Sequence, residues 1–286
     1  MNSLFSKQVF NKSLVFVILA CLLCVFSVRS VYAATITVND TTGLVNVDGL
    51  CSIVEAILNA NDNDQSGSVD CVAGAGVDTI SITVDISLSG QFNNGGAEVS
   101  TATPLIDESL NIDGNGHQIS NSLGGGINFI RSTATLIDIS ISDITFVGGD
   151  TSSYAIRGGA LSFETAGTIT ISGVTFSGNM SERGGALYVR DTGGAGTIVN
   201  IDSSTFESNS ATGGGAIFIF DGVTLNIVNS TFIGNIASEE GGALHSLQSV
   251  GSINEITVSY VTSIDNESLS DVDNFFYNCD NTLTAC

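Results

Sequence analysis

Tryptophan is absent from the 286 residues, proline occurs once, histidine twice, and lysine and arginine together number only seven. Each shortage excludes something. Without Trp the chain lacks the widest flat ring on which a sugar could stack. Seven cations against 29 acids, a formal charge of −22, cannot neutralise a phosphate backbone, because nucleic-acid affinity comes largely from clustered Lys and Arg displacing counterions. Nucleic acid and anionic membrane surfaces are therefore not expected as partners. Long apolar runs are also scarce. One spans Leu14 to Val28; none after Ala33 approaches the roughly 18 to 20 residues needed to cross a bilayer, so a transmembrane segment is not expected in the mature chain.

The single apolar run has a clear purpose. Lys7 and Lys12 precede it, and Val31-Tyr32-Ala33 follows with small residues at the cleavage positions, the layout of a secretory signal peptide over residues 1–33. Lipoprotein-style cleavage before Cys21 would cut the run in its middle. Removal of 1–33 takes Lys7, Lys12 and Arg29 and no acid, leaving Arg131, Arg157, Arg183 and Arg190 as the only cations. The mature protein is expected to be secreted or extracellular, in association with an outer membrane or cell surface.

Such acidity often signals disorder. Here 43% of residues are hydrophobic and they recur in short alternating blocks, while the 33 glycines exceed the usual share of about 7%. Many short strands joined by glycine turns produce that combination. Cys21 and Cys24 leave with the signal peptide, so Cys51, Cys71, Cys279 and Cys286 remain. Four cysteines in an exported chain suggest two disulfides with three possible connectivities. The pairing 51–71 and 279–286 is preferred because it closes short loops; a metal site is disfavoured because no His lies beside either pair.

From residue 140 the chain repeats. Ile144-Thr145-Phe146 leads to Gly158-Gly159-Ala160, Val174-Thr175-Phe176 with Asn179 to Gly184-Gly185-Ala186, Ser204-Thr205-Phe206 with Asn209 to Gly214-Gly215-Ala216, and Ser230-Thr231-Phe232 with Asn235 to Gly241-Gly242-Ala243. Units recurring every 26 to 30 residues mark a solenoid. Within one unit, Thr168–Ser172 alternates with period two, Val174-Thr175-Phe176 is a second short strand and Ala186–Val189 a third. Three strands per unit, each stacked about 4.8 Å from its counterpart, predict an all-β protein: a right-handed parallel β-helix, the pectate-lyase-like solenoid. Phe146, Phe176, Phe206 and Phe232 are expected to stack inside it. Asn179, Asn209 and Asn235 are expected to occupy an inward turn and bond neighbouring coils.

Ahead of the repeats, Ser52 and Glu55 form a capping box, with Ile53, Ala56, Ile57 and Ala60 on one apolar face. A helix here can cover the open end of the solenoid. Cys51-Ser52-Ile53-Val54-Glu55-Ala56-Ile57, followed by Asn59-Ala60-Asn61 and by Gly76-Val77-Asp78-Thr79-Ile80 after the second cysteine, resembles the CSLREAI-domain exported proteins. The later Phe-x-x-Asn and Gly-Gly-Ala blocks resemble the repeats of the polymorphic outer-membrane protein family. These resemblances imply an exported surface β-helix and bring no catalytic residue. The organisation expected is a signal peptide (1–33), an N-terminal cap (34–77), about seven coils (78–278) and a disulfide-closed tail (279–286).

Sites are few. A polygalacturonase-like site needs clustered carboxylates for acid and base work, commonly beside a Gly-His-Gly motif; Gly116-His117-Gln118 matches that motif only in part and no adjacent Asp-Asp pair occurs in the chain, while a chain this acidic repels a polyuronate. His117 and His245 are read as solvent-facing turn residues. Arg157 and Arg183, each just before a Gly-Gly-Ala triplet, are expected to share a ledge and pair with Glu164, Glu182 or other nearby acids. Asp62, Asp64, Ser66 and Asp70 resemble the first part of a calcium loop, but Ala73 stands where a twelfth-position acid is needed; the competing reading is a polar loop closed by Cys51 and Cys71. No catalytic residue and no resident cofactor is therefore assigned. The functional expectation is an exported, non-enzymatic surface β-helix for adhesion or cell-envelope interaction with an unidentified extracellular ligand; the alternative is a polysaccharide-active lyase or hydrolase.

Overall fold

The computed structural model describes residues 32–94, 101–122, 126–153, 157–164 and 167–270, together with the backbone of 276–280. It is a nearly all-β solenoid of parallel strands. Leaving Gly167–Ser172, the chain turns at Gly173, runs through Thr175–Ser177, turns again at Gly178 and Asn179, passes Gly184-Gly185-Ala186 and enters Leu187–Arg190. A loop then returns it to Thr197–Asp202, which pairs in parallel with Gly167–Ser172. Equivalent strands assemble into sheets of eight, seven and six strands, with a further three-stranded sheet over the last coils. The six strands of the third sheet mark about six full turns, where repeat length gives about seven. The early chain is the reason: that sheet begins only at Ile130–Ser132.

Register places like on like. Phe146, Phe176, Phe206 and Phe232 pair in succession, with ring centroids 5.6, 4.7 and 4.7 Å apart, and all are fully buried. Beside them, the Asn179 side-chain amide donates to the Phe146 carbonyl at 3.2 Å and to Asn209 Oδ1 at 2.9 Å. Asn209 does the same toward Phe176 and Asn235. Asn235 reaches Phe206 and Asn266. Each amide thus satisfies two donors and accepts from the coil before it, which is what a buried amide requires. Asn266 extends the ladder one coil beyond the last recognisable repeat, where Ser263 replaces the phenylalanine opposite Phe232. At the other end Gly149, lacking a side chain, contributes its backbone N–H to Asn179 Oδ1 at 2.8 Å.

The Gly-Gly pairs are steric necessities. Gly184 sits at φ +63°, and a Cβ there would run into the Leu187 carbonyl; at Gly185 it would strike the Gly215 carbonyl in the next coil. Only glycine admits both conditions.

The helix Ile53–Asp62 closes the N-terminal end. Ser52 accepts from Glu55 N at 3.3 Å, and Glu55 Oε2 accepts from Ser52 N at 2.9 Å, completing the capping box. Glu55, 1% exposed, also accepts from Asn46 N and Ser68 Oγ, tying both flanking loops to the helix. Cys51 and Cys71 form a disulfide. The 279–286 pairing and the signal peptide lie outside the described residues, except that the backbone of Phe276–Asp280 adds a last strand to the third sheet.

Two stability outcomes follow. Phe206→Ala removes a ring stacked on both sides and is expected to cost about 3 to 5 kcal/mol, whereas His117→Ala, on a half-exposed turn, costs little; urea denaturation midpoints compare them. Cys71→Ser releases a loop whose closure is worth about 3 kcal/mol, so amide exchange should rise in residues 39–75 before the central coils. Equal protection loss along the chain would contradict a locally stapled cap.

Candidate functional site

The site lies on the outer side of the six-stranded sheet. Along Leu187–Arg190 and its neighbours, Leu187, Val189, Ile217 and Ile219 point into the core, and the intervening side chains project outward. Those intervening positions are Tyr188, Phe218 and His245, aligned in register and only 0, 2 and 4% exposed. Tyr188 and Phe218 stack at 5.9 Å, and Phe218 meets the His245 ring at 4.7 Å. An outward column can be this buried only if something covers it.

Arginine covers it. Arg157 lies 5.5 Å from the Tyr188 ring centroid and donates to the Tyr188 hydroxyl at 3.4 Å, Arg183 lies 5.1 Å from Phe218, and Arg190 lies 4.9 Å from Phe220 in the next outward row. Cation–π contacts of this type contribute about 0.5 to 2 kcal/mol, more as they are desolvated. Arg131 joins the same face, pairing with Glu164 at 3.0 Å. Every arginine among the described residues therefore belongs to one face. The ledge expected of Arg157 and Arg183 exists, with altered pairing: Glu182 lies 4.0 Å from Arg183, while Glu164 is taken by Arg131 and Arg157 turns to a ring.

Where the strands Ser210–Gly213 and Ile236–Glu240 overhang this column, a half-open cleft of about 220 Å³ forms. Glu182, Arg183, Thr212, Phe218, Glu239, Glu240, His245 and Leu247 line it. His245 Nε2 is 3.4 Å from Glu240 Oε2. Burial, followed by the nearby Arg183 guanidinium, lowers the imidazole from its ordinary 6.5 to about 4, so it is neutral at pH 7. This corrects the reading of His245 as a solvent-facing turn residue: it stands in the strand Leu244–Gln248, under the arch. His117, by contrast, is on the seven-stranded side, 3.0 Å from Asp85. The structure does not bring the two histidines together.

The remaining acids are mostly engaged with backbone. Asp191 accepts from the N–H groups of Gly193, Gly194 and Gly196. In the N-terminal loop Asp62 accepts from Ser66 Oγ, Asp64 from Ser66 N, and Asp70 from the N–H groups of Asp48 and Gly49. Among the described residues no three His, Cys, Asp or Glu side chains gather as metal ligands.

On the eight-stranded sheet the outward positions form a second pattern. Thr79, Asn111, Ser140, Thr170, Asn200 and Asn226 follow one another in register, a row of hydroxyls and amides about 4.8 Å apart.

The solenoid is thus of the pectate-lyase-like class. Residues 72–181 match the family described as a putative pectate lyase-like adhesive domain. Residues 173–190, 203–219 and 229–247 match the Chlamydia polymorphic membrane protein repeat. No curated protein and no solved structure matches the chain. No helix among the described residues is long and apolar enough to cross a membrane.

The column under the arginines was missed from sequence, although a signal existed. Leu187-Tyr188-Val189 and Ile217-Phe218-Ile219 are apolar throughout, unlike the alternating Thr168–Ser172, which marks a strand covered on both faces.

His245 generates a pH outcome. In the unfolded chain it binds a proton below about pH 6.5, and in the folded chain only near pH 4, so its stabilising contribution is complete above 6.5 and is lost as pH falls toward 4. Relative to His245→Phe, the wild type should lose about 2 to 3 kcal/mol more between pH 7.5 and 4.5, measured by denaturant unfolding. Parallel losses would show that the ring is solvated.

Proposed function

We propose that this chain is an exported, non-enzymatic surface β-helix, related to the CSLREAI-domain proteins, that presents an extended face for adhesion or cell-envelope interaction. The carrying observation is the eight-stranded sheet in continuous parallel register, a rigid surface about 34 Å long bearing an evenly spaced row of hydroxyls and amides. Solenoids commonly use such surfaces for binding. The adhesive description of the family matched over residues 72–181 agrees with it. Residues 1–33 act as the signal peptide, 34–77 as the cap, whose strand Thr35–Val38 supplies the first of the eight strands, 78–278 as the displayed solenoid and 279–286 as its closed tail.

One observation favours a glycan-cleaving enzyme: three carboxylates, an arginine and an imidazole line a single cleft. Against it, the arginines lie against rings or beside acids, and a residue held neutral down to about pH 4 cannot donate a proton near neutrality. Binding without turnover fits better.

N-terminal sequencing of the exported form should begin at Ala34. Beads coated with residues 34–286 should be retained on target cells or glycan arrays, and heat-denatured coatings should not. Sustained release of reducing ends from any polysaccharide, abolished by Glu240→Gln with the fold intact, would overturn the reading in favour of the enzyme.

A further inference from the structure

We propose that the cleft beneath the overhanging strands is a binding site for an organic ammonium group, borne by a lysine-type side chain or an amino sugar. The inference rests on the adhesive reading only for its biological use; its physical basis is separate. Glu182, Glu239 and Glu240 line the cleft together with one cation, Arg183; Glu182 lies 4.0 Å from that guanidinium and Glu240 3.4 Å from His245, and the guanidinium already lies over the Phe218 ring. The lining therefore carries more negative than positive charge, which disfavours an anionic ligand such as a uronate and favours one bringing positive charge.

Size and lining narrow the choice. About 220 Å³ accommodates one sugar ring or one amine-bearing alkyl chain, below the usual range of about 300 to 1,000 Å³ for drug-sized ligands. Half-buried Leu247 offers apolar wall for a methylene stem or ring face, and Thr212 adds a hydroxyl. His245, kept neutral by burial, adds no repulsive charge at pH 7. Beyond residue 33 the chain contains no lysine, so no side-chain ammonium of its own can fill the cleft. The walls are strands pinned by parallel pairing on the third and three-stranded sheets, so little ordering is needed on binding.

The test is calorimetric titration of residues 34–286 with glucosamine and with Nα-acetyl-lysine amide, each beside its N-acetylated form. Glu182→Gln/Glu240→Gln removes two charges from the cleft; Asp62→Asn/Asp64→Asn removes two from the distant N-terminal loop. One amine should saturate at a single site, weaken at least about ten-fold in the cleft variant, change less than about two-fold in the loop variant, and fail to bind once acetylated. The tighter amine identifies the carrier. Equal weakening in both variants would overturn the proposal by showing only the general acidic field, as would equal binding of an acetylated form or no saturable binding of either amine. Thermal unfolding of each variant confirms folding, and single Glu182→Gln and Glu240→Gln variants serve if the pair unfolds. Cell retention by the same coated beads is scored separately: amine binding with retention lost leaves the site standing and removes the adhesive reading, and retention without amine binding does the reverse.

Discussion

Parallel stacking imposes one demand on every position of this chain: each side chain must be compatible with its own counterpart one coil away. A phenylalanine answers by stacking, as Phe176 does between Phe146 and Phe206. An asparagine answers by donating to one neighbour and accepting from the other, so the ladder from Asn179 to Asn266 is a continuous polar thread inside an apolar core. Because partly satisfied buried networks are costly, that thread also fixes register: slipping one coil by a residue would strand several amides at once. Glycine answers by having nothing to collide.

The same demand shapes the outer face. A solenoid strand has two sides, and the second must be either wet or covered. On the eight-stranded sheet it is lined by short polar side chains. On the six-stranded sheet it carries Tyr188, Phe218 and His245, which the overhanging strands and the arginines dry out. The few cations of an acidic protein are thus consumed in covering rings and meeting nearby acids, leaving carboxylates to dominate the cleft. This accounts for an acidic protein in which scarce arginines cluster rather than scatter.

The capping helix obeys a different constraint, since it must terminate the stack rather than continue it. Glu55 serves both the capping box and two loops, so a residue legible as a helix start is also the point where the cap is joined together. The apolar face of Ile53, Ala56, Ile57 and Ala60 could be read from spacing, as could the Cys51–Cys71 staple from the short loop it closes.

Sequence by itself determined the repeating elements: the period, the Phe and Asn positions, the Gly-Gly turns, the helix and the acidic balance, because each follows from local pattern and from identity between units. The extra ladder residue Asn266 escaped, because Ser263 had replaced the phenylalanine that marks a repeat. Only the tertiary structure decided the outer face. Arg157 and Tyr188 are 31 residues apart, and Arg183 reaches the Phe218 ring of the next coil; contacts between different positions of successive coils leave no periodic trace. Burial of His245 was decided the same way, since Phe218 and Arg183, which lie against it, come from earlier coils and do not adjoin it in the chain.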